Sequence, residues 1–252
     1  NRFFKMNVLI RSPLWTKKKY DHLTVYFRTT DSKFDTSLML KAIDINQNDD
    51  EIILHNVSKF CDAITGSFAF IIECRDYVIA SVDVVRSIPL YFNKYAVVSD
   101  SARYVLSASP DKLHNSDSIM EISRSGYSIS NKTLYNSVNT LCAGQVAIIR
   151  NNNYKIYSYY SYIGKENNDT SFAVMSKQLL EHIFELVERI KSNYHGREIV
   201  VPLSAGTDSR LIVSALKYVG VKNVTCFSYG HKESFEIKAA REVTERLGFK
   251  FI

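Results

Sequence analysis

The chain has 252 residues, enough for one large domain or two ordinary ones with a core each. Apolar residues make up 46% and charged residues 23%, values of an ordinary globular protein that exclude a disordered chain. The formal charge of +6 is a moderate basic excess, not the concentrated charge of a nucleic-acid-binding arm.

In the opening NRFFKMNVLIRSPLWTKKKY the only sustained apolar stretch, MNVLI, is too short for a signal-peptide core, and no run in the chain reaches the length of a membrane span. The first residue is Asn1, which leads to the expectation that the natural N-terminus lies further upstream. Lys17, Lys18 and Lys19 read as a solvated loop. From there to about residue 160, short runs rich in Val, Ile, Tyr and Phe alternate with polar clusters: HLTVYFR, SFAFIIEC, YVIASVDV, PLYFNKYAVVSD, QVAIIR and YKIYSYY. This pattern predicts antiparallel β-structure, with SDSARYVLSAS and NSDSIMEISRSG as short helices packed on it. Cys61, Cys74, Cys142 and Cys226 stand singly in apolar runs, without metal-ligand spacing or a disulfide framework, which suits reduced thiols in a cytoplasmic protein.

SYIGKENNDTS, polar and aperiodic, predicts a linker and a division into residues 1–162 and 163–252. After it the period changes. Leu179, Leu180, Ile183, Phe184, Val187 and Ile190 recur at helical steps behind an Asp169/Thr170 cap. REIVVPL then predicts a buried strand, DSRLIVSALKYV a helix closed by Gly220, NVTCFSYG a strand, SFEIKAAREVTERL a helix closed by Gly248, and FKFI the start of a third strand. Strand, helix, strand, helix, strand predicts a parallel α/β sheet, whose ligands collect at the carboxyl ends of the strands.

One such end carries SAGTDS. Ser204, Ala205 and Gly206 are small enough for an anion to approach the backbone, Thr207 and Ser209 offer hydroxyls, and the next helix directs its free N–H groups at the same point. The loop lacks the lysine and spacing of a Walker A motif. Asp208 beside a polyphosphate requires a cation such as Mg²⁺ between them. The six histidines show no ligand spacing, although His231, directly after FSYG, is placed to approach a nucleotide.

The loop resembles the SGGxDS pyrophosphate loop of the asparagine synthetase family, with Ala205 for the first glycine. CFSYGHKESFEIKAAREVTERLGFKF is similar to that family's second strand and following helix, ITGSFAFIIE to its DGxFAFxxxD, SVDVVRSIPLYF to its RDRxGxxPLYY, and GYSISNKTLYNSVNTLCAGQVAII to the stretch before the linker. The resemblance covers roughly residues 60 to 252. It implies an Ntn-type antiparallel β-sandwich of αββα layers that hydrolyses glutamine, followed by the start of a PP-loop ATP pyrophosphatase domain. The implied reaction uses ATP and Mg²⁺ to activate a small carboxylate, aspartate or a related acid, as an acyl-adenylate that ammonia or an amine converts to an amide. By position, Ser204, Ala205, Gly206, Thr207, Asp208 and Ser209 would hold pyrophosphate and, through Asp208, Mg²⁺. Leu203 and Tyr229 would flank the nucleoside, and Asp83 would be the remnant of the glutamine site. No nucleic-acid or membrane partner is implied, and a homodimer is left open.

Several positions depart from the family. Its glutaminase uses a cysteine as first residue, whereas residue 1 is Asn and the first cysteine, Cys61, reads as a small buried side chain. Val84 and Arg86 replace the usual arginine and glycine, and no NGEIYN-type segment is found. The domain is therefore expected not to hydrolyse glutamine as written, with no catalytic residue identified in it. The family's synthetase domain extends well beyond a third strand, so the chain is expected to be a piece of a longer protein. The alternative is a degenerate relative that binds nucleotide, or serves as a scaffold, without turnover.

Overall fold

A computed structural model describes residues 7–45, 49–164, 170–193, 196–231 and 233–252. The chain divides into two compact units, Asn1–Ile163 and Gly164–Ile252. The linker residues 165–169, and with them the expected cap Asp169, lie outside the described residues, as do Asn1 and His195.

The first unit runs β1 (Asn7–Leu9), β2 (Thr16–Lys19), β3 (Thr24–Thr29), α1 (Thr36–Ile43), α2 (Asp50–Asp62), β4 (Phe68–Glu73), β5 (Val78–Val82), β6 (Tyr91–Phe92) and β7 (Val97–Ser99). It continues through α3 (Ala102–Ser107), α4 (Ser116–Ser125), β8 (Asn139–Thr140), β9 (Gln145–Arg150) and β10 (Asn153–Ser158). A six-stranded sheet has the order β10-β9-β5-β4-β3-β2, with every pairing antiparallel. A four-stranded sheet has the order β1-β7-β6-β8, and here β1 pairs with β7 in parallel, against the expectation of a wholly antiparallel half. Such a pairing needs a long crossover. It has one, since everything from β2 to β6 lies between the partners.

Alternation along the central strands places one set of side chains between the sheets. Ala69, Ile71, Ala80 and Val82 meet Leu90, Phe92 and Val98 there. The opposite set, Phe68, Phe70, Ile72 and Ile79, packs beneath Met39, Ile43, Ile53, Val57 and Cys61 of α1 and α2. On the outer face of the second sheet Val97 packs on Val105 of α3. The unit therefore has αββα layering.

Two further features differ from the sequence reading. Lys17, Lys18 and Lys19 form edge strand β2 instead of a loop, paired with Tyr26, Val25 and Thr24. The Lys17 ammonium lies 4.8 Å from the Tyr26 ring centre and that of Lys18 5.7 Å from the Phe27 ring. Lysines suit such an edge because their charge discourages pairing with another strand. The helices α1 and α2, absent from that reading, form the layer over the first sheet. Both are N-capped by aspartates: Asp35 accepts from the Ser37 and Leu38 N–H groups, and Asp49 from that of Glu51.

The second unit runs α5 (Phe172–Asn193), β11 (Ile199–Pro202), α6 (Thr207–Tyr218), β12 (Val224–Phe227), α7 (Phe235–Leu247) and β13 (Lys250–Phe251). Ser171 supplies the first-turn acceptor of α5, its Oγ taking the Val174 N–H at 3.4 Å. The strands form a parallel sheet in the order β11-β12-β13. Val187 of α5, Val213 of α6 and Ala240 of α7 share a core with Val201, Val224 and Cys226. Gly248 closes α7 in a left-handed conformation, φ 70°. No described helix is long and apolar enough to cross a membrane.

Candidate functional site

The carboxyl ends of β11 and β12 form one edge. Pro202 pairs with Phe227, and the Leu203 N–H extends the ladder by donating to the Phe227 carbonyl at 2.8 Å. The chain then turns over three small residues into α6. Leu203, Ser204, Ala205, Gly206, Thr207, Asp208 and Ser209 thus leave the same sheet edge as Tyr229, which follows β12 by two residues and is 85% exposed. The Leu203 side chain is only 2% exposed and belongs to the core, so what it presents to the edge is main chain.

Hydroxyls fix the shape of the loop. Ser204 and Ser209 Oγ lie 3.1 Å apart, the Ser204 N–H donates to Ser209 Oγ at 3.2 Å, and the Gly206 N–H donates to Ser204 Oγ at 3.2 Å. A Cβ at Gly206 would stand 3.2 Å from Ser204 Oγ, tighter than ordinary contact. Ser209 therefore acts as a staple on Ser204 more than as a free donor, a role that composition alone does not reveal.

Gly206 is the N-cap of α6 and has no side chain with which to cap it. The first-turn amides of Thr207, Asp208 and Ser209 thus face outward without a capping oxygen, at the positive end of a twelve-residue helix. Asp208 is exposed in that turn and makes no hydrogen bond or ion pair among the described residues. Arg210, which the sequence reading passed over, bends back so that its Nε donates to the Gly206 carbonyl at 3.2 Å and holds a positive charge beside the loop. His231 begins the turn into α7: its carbonyl accepts from the Ser234 N–H at 2.8 Å, and its Nδ1 from the Glu233 N–H at 3.4 Å.

In the first unit Asp83 follows β5 and is 1% exposed. Its carboxylate accepts from the N–H groups of Phe68, Val85 and Ser87 and from the Ser87 hydroxyl, at 3.0 to 3.3 Å. Its carbonyl accepts from the Arg86 and Gly144 N–H groups. The acceptor capacity of the carboxylate is largely committed to the turn that leads into β6. Cys61 lies on the inner face of α2, its Sγ 3.4 Å from Ser81 Oγ, and burial pushes its thiol up to about 12. A thiol so held is not a nucleophile near neutral pH.

No family model matches the chain. A 67-residue stretch is 43% identical to the probable asparagine synthetase (glutamine-hydrolyzing) of Acanthamoeba polyphaga mimivirus, a match covering 26% of this chain and 12% of that protein. Among solved structures, glutamine phosphoribosylpyrophosphate amidotransferase from B. subtilis, complexed with ADP and GMP, aligns with 95% of this chain and 72% of its own. The TM-score is 0.34, at 12% identity. A structure described as the allosteric regulatory enzyme of purine biosynthesis aligns with 96% of this chain and 71% of its own, with a TM-score of 0.32 at 10% identity. At such values neither structural likeness bears on activity.

Proposed function

We propose that this chain is part of an ATP-dependent, amide-forming ligase of the asparagine synthetase type, its second unit belonging to the ATP pyrophosphatase half and its first to an amidotransferase-like half. ATP and a carboxylate, aspartate or a related acid, are the substrates. They combine as an acyl-adenylate with loss of pyrophosphate, and ammonia or an amine then takes the acyl group and releases AMP. The observation that carries this reading is the uncapped N-terminus of α6 at the carboxyl edge of a parallel sheet, with unpartnered Asp208 in its first turn. The 43% identical stretch supports the choice of family.

Each residue has a task in this reading. The amides of Thr207, Asp208 and Ser209 donate to pyrophosphate oxygens, the helix dipole favours their charge, and the Thr207 hydroxyl is free to add a donor. Gly206 keeps the approach open. Asp208 would hold Mg²⁺. No group of three or more His, Cys, Asp or Glu able to hold a metal occurs among the described residues, so the cation would arrive with the nucleotide, as Mg²⁺ commonly does. When bound, Mg²⁺ neutralises charge on the departing pyrophosphate. The Leu203 main chain and the Tyr229 ring offer surfaces to the nucleoside.

A second reading, a relative that binds nucleotide without turnover, is favoured by the state of the first unit. Asp83 is bonded into its own turn and Cys61 is buried with a raised pKa, so neither is available for glutamine chemistry. ATP–pyrophosphate exchange with aspartate and a panel of carboxylates, run beside calorimetric titration with Mg·ATP, separates the two. The ligase reading expects exchange dependent on one acid, reduced at least ~100-fold in Asp208→Ala. Binding without exchange selects the second reading, and failure to bind Mg·ATP defeats both.

A further inference from the structure

Away from this loop, the first unit contains a cavity of about 420 Å³, a volume within the range of small-molecule sites. Its walls include Arg11 and Trp15 from the segment entering β2, Arg28 near the end of β3, and Ile88 with Pro89 from the turn before β6. Asp100 holds the entering segment in place: the Arg11 and Ser12 N–H groups donate to its two carboxylate oxygens at 2.8 and 2.9 Å. That carboxylate, the one acid in the lining, is thereby engaged by main chain.

The charged side chains left over are two guanidiniums. Neither the Arg11 nor the Arg28 guanidinium has an ion pair or hydrogen bond among the described residues. Trp15 lines the cavity and also packs against the core of the unit. A guanidinium fork fits the paired oxygens of a carboxylate or phosphate. Ile88, Pro89 and the indole add an apolar wall. Two cations and an apolar wall together describe a receptor for an anion with a small organic body.

We propose that this cavity binds a small organic anion through its carboxylate or phosphate-ester oxygens. The proposal is independent of the ATP site, and its test uses no nucleotide. Trp15 is the single tryptophan of the chain, so intrinsic emission reports on the cavity directly. The full chain would be titrated with succinate and with inorganic phosphate, using succinamide and potassium chloride at matched ionic strength as controls. The expected result is a saturable change in emission, confirmed by calorimetry on the wild type, with at least one anion and with neither control. Half-saturation should weaken at least ~10-fold in Arg11→Gln and in Arg28→Gln, each a loss of one charge-assisted contact. Response to succinate alone assigns carboxylates, to phosphate alone phosphate esters, and to both the shared oxyanion. Absence of saturation by both anions in emission and calorimetry would overturn the proposal. So would an unchanged response in the double variant with its circular dichroism intact.

Discussion

Arg86 has φ 56°, in the left-handed region that only glycine occupies without cost. It stands where the resembled motif carries glycine, so the backbone requirement of this turn persists although the residue does not. Its guanidinium donates to Thr140 Oγ1 at 2.8 Å, which gives the side chain a packing role between the turn and β8. The two effects separate in a pair of variants. Arg86→Ala and Arg86→Gly both lose the hydrogen bond, and only glycine relieves the backbone. Denaturant unfolding should therefore find Arg86→Gly more stable than Arg86→Ala by about 1 kcal/mol. At the same scale, burial raises the thiols of Cys61, to about 12, and Cys74, to about 11, and it also raises the hydroxyls of Tyr77 and Tyr159. A group whose folded pKa is raised stabilises the native state below its unfolded pKa and loses that contribution as pH rises toward the folded value. Stability should consequently fall from about pH 9 upward, with Cys61 contributing a loss on the order of 3 kcal/mol by pH of about 11. Denaturation midpoints across this range should fall less steeply in Cys61→Ala than in the wild type.

Among the elements, the connection between β8 and β9 shows how a short motif serves the fold. The Gly144 N–H donates to the Asp83 carbonyl, and the Gly144 carbonyl accepts from the Tyr159 and Tyr160 N–H groups, so one residue clasps the end of β5, the start of β9 and the chain after β10. Gly144 has φ +65°, and a Cβ there would lie 2.8 Å from Tyr160 Cβ and 2.9 Å from the Tyr160 carbonyl oxygen. Gly126, the C-cap of α4 at φ +84°, has nothing within 4 Å of the same added atom. Gly144→Ala should thus cost about 3 kcal/mol and Gly126→Ala about 1 kcal/mol, compared by unfolding under identical conditions. The strands of this half were legible because apolar runs between polar clusters report burial directly. The helix α2 was overlooked although Ile53, Leu54, Val57 and Cys61 recur at helical spacing behind Asp49, because a few apolar residues among many charges show little contrast beside β-runs. Strand β2 was hidden for the opposite reason: an edge made of lysines carries a negative-looking signal for structure, and only its pairing with β3 reveals it. At the candidate site the small and hydroxyl-bearing residues of the loop were legible in the sequence. That Ser209 staples Ser204, and that Asp83 is occupied by its own turn, depend on hydrogen bonds that no linear pattern records.

Across the whole molecule the two units differ in how thoroughly they bury their apolar residues. The first unit encloses its six-stranded sheet between helices on one side and a second sheet on the other, and Phe70, Ile71, Ile72 and Ile79 are completely buried. In the second, β11 and β13 are both edges, Val200 of β11 is 52% exposed, and Phe172, Leu179, Leu211 and Phe235 lie exposed on three helices. Burial of apolar area is the dominant favourable contribution to folding, so the second unit has the smaller reserve and should open first. Trp15 makes this measurable, because it lies in the first unit while long helices of the second contribute strongly to far-ultraviolet circular dichroism. Increasing denaturant should produce an early loss of helical signal with no change in tryptophan emission, then a second loss in which both signals move together. Mg·ATP, if it binds the β11–α6 loop, should shift only the early phase, since a ligand stabilises the unit that holds it. Coincident single transitions by both probes would instead show that the units unfold as one cooperative body.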